Sequence, residues 1–338
     1  MLKSPYPYFG GKRRVAAEIW KRFGTDCTNY VEPFFGSGAT LLCRPQPFSG
    51  VETVNDKDGY VANFWRAIEA DAEAVAKYAD WPVNENDLHA RHVWLVERKG
   101  TLQAKLEGDP DYFEAKIAGW WCWGMCAWIG GGFCSGEGPW HVVDGEIVKT
   151  VNAGQGVKRR IVHLGDAGRG VNRASGKRGE LVDYFRQLQD RLRGVRVCCG
   201  DWSRVMGTTV TQRHGTAAIF LDPPYSHAVR DKSIYCVETD CAAEVREWCV
   251  ENGGNKLLRI ALCGYAGEGH EPLADHGWTE LAWKAAGGYS VQGNGRGRDN
   301  AAKERIWFSP HCALADTDGL FRATQKGRAN VKTSTPRK

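Results

Sequence analysis

The sequence predicts an α/β protein on a parallel sheet that holds its ligands at the carboxyl ends of the strands. Three observations lead there. Short apolar runs alternate with helical patterns in the first and last thirds of the chain. Several of those runs end in an acidic or small residue, the place where open α/β sheets bind ligands. Residues 71–179 break the rhythm and are rich in Trp, Gly and Arg, so they read as an inserted domain.

Residues 29–32 end a first strand, succeeded by a glycine turn and a helix-like stretch at 39–44. Residues 51–56 form a second strand and lead into a helix at 59–70. An amphipathic helix at 180–193 precedes a third strand at 195–201, and residues 217–222 form a fourth. A helix at 242–252 precedes the fifth strand, 257–263, and residues 278–285 and 305–308 form a closing pair.

The 338 residues suit one large domain or two modest ones, and 42% apolar with 25% charged residues is ordinary for a folded chain. A net charge of +5 excludes a chain that is polybasic throughout. The charge is uneven, however. Residues 158–178 carry seven basic side chains against one acid, Asp166, and residues 322–338 carry six basic side chains and no acid. Local basic patches of this kind suit phosphate contact. The first twelve residues hold no apolar core of a secretory signal, and cysteines such as Cys198, Cys199 and Cys263 sit inside apolar runs. A reducing, cytoplasmic location is expected. Cys122, Cys126, Cys134 and His141 have a spacing that fits no standard zinc site, so no metal is expected. Residues 117–136 are uncharged for 20 positions. Their four tryptophans and their clustered glycines argue for an aromatic core segment ending in a glycine-rich loop, not a membrane span.

Three motifs carry chemistry. Residues 30–40 read YVEPFFGSGAT: Glu32 ends a strand, and Gly36 and Gly38 permit a tight turn against a ligand. The spacing departs from the dinucleotide fingerprint and from the phosphate-binding P-loop. Residues 54–58 read VNDKD, with Asp56 placed to bind a ribose hydroxyl pair and Asp58 to cap the next helix. Residues 219–225 read IFLDPPY, the most specific signal. Two prolines are a poor way to continue a strand or to begin a helix. They make sense where a flat, amine-bearing ring is held. Asp222 would accept one N–H of the amine, the carbonyl of Pro223, fixed by Pro224, the other, and Tyr225 would stack on the ring. An amine held by two acceptors keeps its lone pair out of the ring and can attack an electrophilic methyl group.

These motifs resemble those of the Dam-type (D12 class) DNA adenine-N6 methyltransferases. PYFGGK at 7–12 resembles the family's opening motif, VEPFFGSGAT at 31–40 its cofactor loop, NDKDGYVANFWRAI at 55–68 its ribose-binding segment, and DPPY at 222–225 its catalytic motif. VRVCCGDW at 195–202 is a weaker match. The family often has another pair at Tyr8 and Phe9. The resemblance implies a Rossmann-like, seven-stranded methyltransferase sheet whose last strand is antiparallel, built from residues 1–70 and 180–311. It implies a target-recognition insert at 71–179 and leaves 312–338 as a basic, flexible tail. It implies S-adenosylmethionine as cofactor, held by Tyr8, Phe9, Lys12, Glu32, Pro33, Phe35, Gly36, Gly38, Asp56, Asp201 and Asp222. Asp222, Pro223, Pro224 and Tyr225 would form the catalytic motif. The substrate would be double-stranded DNA, modified site-specifically at a flipped adenine. A cognate restriction nuclease is a partner the resemblance leaves open. Within the basic segment, Arg159, Arg160, Arg169, Arg173, Lys177 and Arg178 are the expected DNA contacts. Cytosine-N4 methylation would favour Ser in place of Asp222, and an RNA or protein-glutamine methyltransferase would favour Asn there. A non-catalytic DNA-binding module would erode DPPY or the FGSG turn, and both are intact.

Overall fold

The computed structural model describes residues 2–8, 10–128, 133–134, 140–143, 146–149, 160–161, 165–166, 179–225, 241–283 and 303–313. Its centre is a seven-stranded sheet of β1 (Asn29–Glu32), β2 (Val51–Asp56), β7 (Val195–Cys199), β8 (Ala217–Leu221), β9 (Leu258–Tyr265), β10 (Thr279–Ala282) and β11 (Glu304–Phe308). The spatial order is β10-β11-β9-β8-β1-β2-β7. Pairs from β7 to β9 are parallel, while β11 runs antiparallel to both its neighbours. The sheet is therefore the Rossmann-like one that the motifs imply, with the last strand reversed.

Alternation along the strands sorts side chains between two apolar layers. Tyr30, Val54, Phe220, Cys263, Ile306 and Phe308 face one layer. Val31, Ile219, Leu221, Ile260, Leu262 and Trp307 face the other. On the first face lie α1 (Ala16–Phe23), α3 (Gly59–Ala79) and α6 (Glu180–Leu192). In α6, Leu181, Tyr184, Phe185, Leu188 and Leu192 recur every three or four residues, so one stripe is buried. On the second face lies α8 (Ala242–Asn252), which buries Val245 and Cys249. The short α2 (Ala39–Leu42) and α7 (Thr208–Gln212) bridge strands.

Two helical features differ from the sequence reading. The helix expected at 59–70 continues as α3 to Ala79, but Asp71 has φ −150° and ψ 77°, and its carboxylate accepts from the Ala74 N–H. Asp71 thus breaks the helix and caps its continuation. The second feature is the pair α4 (Glu85–Gly108) and α5 (Ala115–Ala127), which the sequence reading left undivided. Asn84 caps α4 by accepting from Asp87 N–H. The α5 segment WWCWGMCA is apolar around its whole circumference, and it is buried at Trp121, Cys122, Trp123 and Cys126. A helix without a polar face needs neighbours on all sides. Leu88, Leu95, Leu102 and Leu106 of α4, the α5 tryptophans and α3 share one core with the sheet. Residues 71–128 are therefore packed as a layer of the sheet domain. Among the described residues, no helix is long and apolar enough to cross a membrane.

Farther along, β3 (Trp140–Val143) pairs with β4 (Glu146–Lys149), and β5 (Arg160–Ile161) with β6 (Gly165–Asp166), both antiparallel. The described cysteines are free thiols, all buried except Cys198, which is part-buried.

Candidate active site

The ends of β1, β2, β7 and β8 converge because parallel strands deliver their carboxyl termini to one edge. The residues at and just beyond each strand end line one cleft. Its walls take Tyr8 and Lys12 from the first segment, Glu32 to Gly36 after β1, Asp56 to Asp58 after β2, Asp201 and Trp202 after β7, and Asp222 and Pro224 after β8. The motifs singled out in the sequence thus meet in one place.

The glycine turn is built by its neighbours. Gly36 has φ 48°, and a Cβ there would lie 2.6 Å from the Tyr8 ring. Its N–H donates to Asp56 Oδ2 at 2.8 Å, and its carbonyl accepts from the Tyr6 hydroxyl at 2.8 Å and Trp65 Nε1 at 2.9 Å. Gly38, with φ 65°, opens α2 in the left-handed region, packed under Phe35 and Trp65, and serves the turn more than the cleft wall. Asn55 ties the strand ends together by donating to the carbonyls of Pro33 at 3.1 Å and Gly200 at 3.0 Å.

The acids divide by role. Asp58 caps α3, accepting from Tyr60 N–H at 2.9 Å. Asp56 accepts from the N–H groups of Gly36 and Asp58. Burial and the nearby Asp58 nevertheless push its carboxyl up to about 7. Glu32 is buried and accepts from the Tyr30 hydroxyl at 2.7 Å. Burial raises its pKa well above the carboxylate range, and Asp222 and Asp56 add to the rise. Asp201 is half exposed and accepts from Ser203 N–H and Oγ, with Lys57 Nζ 3.9 Å away.

Lys12 is 2% exposed, and its three N–H groups are fully engaged. It reaches Gly10 O at 2.8 Å, Asp222 at 2.8 and 2.9 Å, and the Tyr225 hydroxyl at 2.9 Å. Burial opposes its charge, but Asp222 and Glu304 outweigh that and hold the ammonium above the usual lysine range. Lys12 thus joins the opening segment directly to the DPPY motif, across 210 positions of sequence. Pro224 lines the cleft, whereas Tyr225 is 5% exposed and packs edge-on against Tyr265, ring centres 4.3 Å apart. Its ring, expected to stack on a substrate, is not on the cleft wall. Its hydroxyl donates to Glu304 Oε2 at 2.8 Å.

Sequence reasoning missed Glu304, Asn55 and the cleft rings Phe34 and Trp202, which lie 26° from parallel with centres 6.3 Å apart. The one sequence signal for Glu304 is an acid opening an apolar strand, and the flanking Lys303 and Arg305 disguise it as a solvated charge run. Phe9, Arg159, Arg169, Arg173, Lys177 and Arg178 lie outside the described residues, as does the side chain of Arg160. Among the described residues, no group of three or more His, Cys, Asp or Glu is placed to hold a metal ion.

No curated protein matches the chain. Residues 8–98, from the Lys12 segment through β1, the glycine turn and β2 into α4, match the model of the family described as D12 class N6 adenine-specific DNA methyltransferase. DPPY lies beyond the matched stretch, but the fold joins it to that stretch through Lys12. Over residues 8–98 the chain is thus similar to the D12 class N6 adenine-specific DNA methyltransferases, a family whose activity is DNA adenine-N6 methylation.

Proposed function

We propose that the cleft binds S-adenosylmethionine and presents its methyl group to an adenine swung out of double-stranded DNA, with Asp222 and Pro223 gripping the target amine. The observation that carries this is the excess of acids over cations in the cleft. Glu32, Asp56, Asp58 and Asp222 line it, and the one buried cation among the lining residues, Lys12, is already held by Asp222. An acid excess suits a ligand that brings a sulfonium, an ammonium and two ribose hydroxyl donors. Phe34 and Trp202 offer flat faces for its adenine beside Asp201. When bound, the cofactor supplies an electrophilic methyl carbon.

The chain's own residues do the rest. Asp222 accepts one N–H of the target amine, and the carbonyl of Pro223, stiffened by Pro224, accepts the other. The amine lone pair is then localised and aimed, and positioning supplies much of the rate. An adenine paired in a duplex cannot offer its amine in this way, so the base must leave the stack. Later parts of the insert, with the basic segment 158–178, would select the site by contacting phosphates and base edges. The decisive experiment is modification-sensitive sequencing of DNA from cells expressing the chain. N6-methyladenine at one short sequence, lost in Asp222→Ala, is expected. Modified cytosine, or an unchanged pattern in the variant, would overturn the reading.

A further inference from the structure

We infer that Glu304 is a positioning residue for methyl transfer: by accepting the Tyr225 hydroxyl proton it keeps Asp222 free to receive the target amine. The inference rests on the proposed role of Asp222 and adds a residue from the opposite end of the chain. The donors settle its direction. Lys12 has three N–H groups and no acceptor. They go to Gly10 O, to Asp222 and to the Tyr225 oxygen. Because that phenol oxygen accepts from Lys12, its own proton needs another acceptor. Among the described residues, Glu304 Oε2 lies 2.8 Å away and Asp222 Oδ1 at 3.4 Å. Glu304 is 3% exposed on β11 opposite Tyr265, whose ring packs against Tyr225. It lies 3.8 Å from Lys12 Nζ, too far for a good hydrogen bond but close enough to share its charge.

Removing this acceptor would turn the phenol proton toward Asp222. That carboxylate already takes two contacts from Lys12. A third donor would draw charge from the oxygens that must hold the amine, so transfer would slow without loss of the cofactor. Glu304 need touch neither cofactor nor base; it acts through Tyr225.

The test uses the purified full chain, with S-adenosylmethionine and a DNA duplex bearing the modified site, in single turnover. Glu304→Met, which leaves no oxygen to accept, should slow methyl transfer roughly ten- to hundredfold, the rate equivalent of one hydrogen bond to a charged group. Cofactor affinity should stay within about twofold, a split that general unfolding would not give. Tyr225→Phe removes the proton that would turn onto Asp222, so Glu304→Met should cost little further in a Tyr225→Phe background. Glu304→Gln, whose amide oxygen can still accept, should recover most of the rate. A wild-type rate in Glu304→Met, or an undiminished loss from it in the Tyr225→Phe background, would overturn the inference. If Glu304→Met does not fold, Glu304→Asp, which draws the acceptor back, takes its place under the same two criteria. Asp222→Ala separates the two ideas. A dead Asp222→Ala beside a fully active Glu304→Met sinks this inference alone, whereas an active Asp222→Ala sinks the proposed function.

Discussion

Strand β2 carries an acid near each end, Glu52 buried and Asp56 part-buried, and the two are treated oppositely. Near its start, Glu52 is 6% exposed and meets two arginines: Arg44 at 2.8 Å and Arg191 at 2.7 and 2.8 Å. At its finish, Asp56 meets only backbone N–H groups and the neighbouring acid Asp58, and its carboxyl rises to about 7. The first site is closed in charge, and Arg44 is further held over the Trp20 ring. The second is left short of positive charge. A strand that satisfies one acid with cations and leaves the other without one separates a structural acid from a candidate ligand-binding acid, since perturbed groups in clefts gather at functional sites.

Mutation should separate the open, ligand-binding end from the closed, structural one. The greatest loss belongs to the open cleft. Asp222→Ala should slow methyl transfer by roughly 10^2–10^4-fold, the range for losing a positioned acid–base group. Cofactor binding measured by calorimetry should largely survive, and near wild-type turnover would remove DPPY from the chemistry. Glu52→Ala belongs to the closed end and should act on stability. The buried Arg44 and the part-buried Arg191 would face each other without an acid, at a cost of about 3–5 kcal/mol in denaturant melts. A cost under about 1 kcal/mol would show that the closed cluster is not structural.

Asp56→Ala should act on binding, weakening S-adenosylmethionine by about 1.5–3 kcal/mol, the worth of a charge-assisted hydrogen bond. Unchanged affinity would leave Asp56 only as the brace of the glycine turn. Asp56 also predicts a pH dependence. Ribose hydroxyls donate to the charged form, so affinity should be greatest above about 7 and fall as pH drops through it. Between pH 8 and pH 6 the loss approaches about tenfold if the protonated form does not bind. The same shift, from 3.8 to about 7, makes the free protein lose stability as pH rises through that window, because the folded state takes up the proton. A cofactor affinity that is flat from pH 6 to 8 would contradict the first, and a free-protein stability that does not fall as pH rises from 3.8 to about 7 the second.

The mildest change belongs to the basic segment. Arg159→Ala or Arg160→Ala should lower the salt slope of DNA binding by about one unit each, with cofactor affinity unchanged. Variants across 158–178 that keep the wild-type slope and site preference would make that segment a bystander.

Much of the molecule was legible in the sequence, for local reasons. The bounds of β1, β2 and α8 match the sequence reading, the two strands as short runs that end in an acid. That Glu32, Asp56 and Asp222 would meet in one cleft could be read because each ends or succeeds a strand of one parallel sheet. The continuation of α3 beyond Asp71 was hidden because a mid-helix aspartate reads as a stop, whereas here it breaks and recaps the same helix. The Lys12–Tyr225–Glu304 chain was hidden because its members are 79 and 213 positions apart, and no pattern of spacing expresses such a contact. Tyr225 shows the same limit. Its motif suggested a ring facing the substrate, but Tyr265 and Glu304 hold it inside.

Strand β11 slots between β9 and β10, both of which precede it in the chain. Glu304 rides in on that last strand, to meet a lysine made almost three hundred residues earlier. During synthesis, the cleft's acids and its lysine emerge from the ribosome well before this final piece. A nascent or prematurely ended chain therefore carries the motifs of a methyltransferase without the finished hydrogen-bond chain behind them. On the proposed role of Glu304, arrival of the closing strand is the point at which a newly made molecule gains its full rate of transfer.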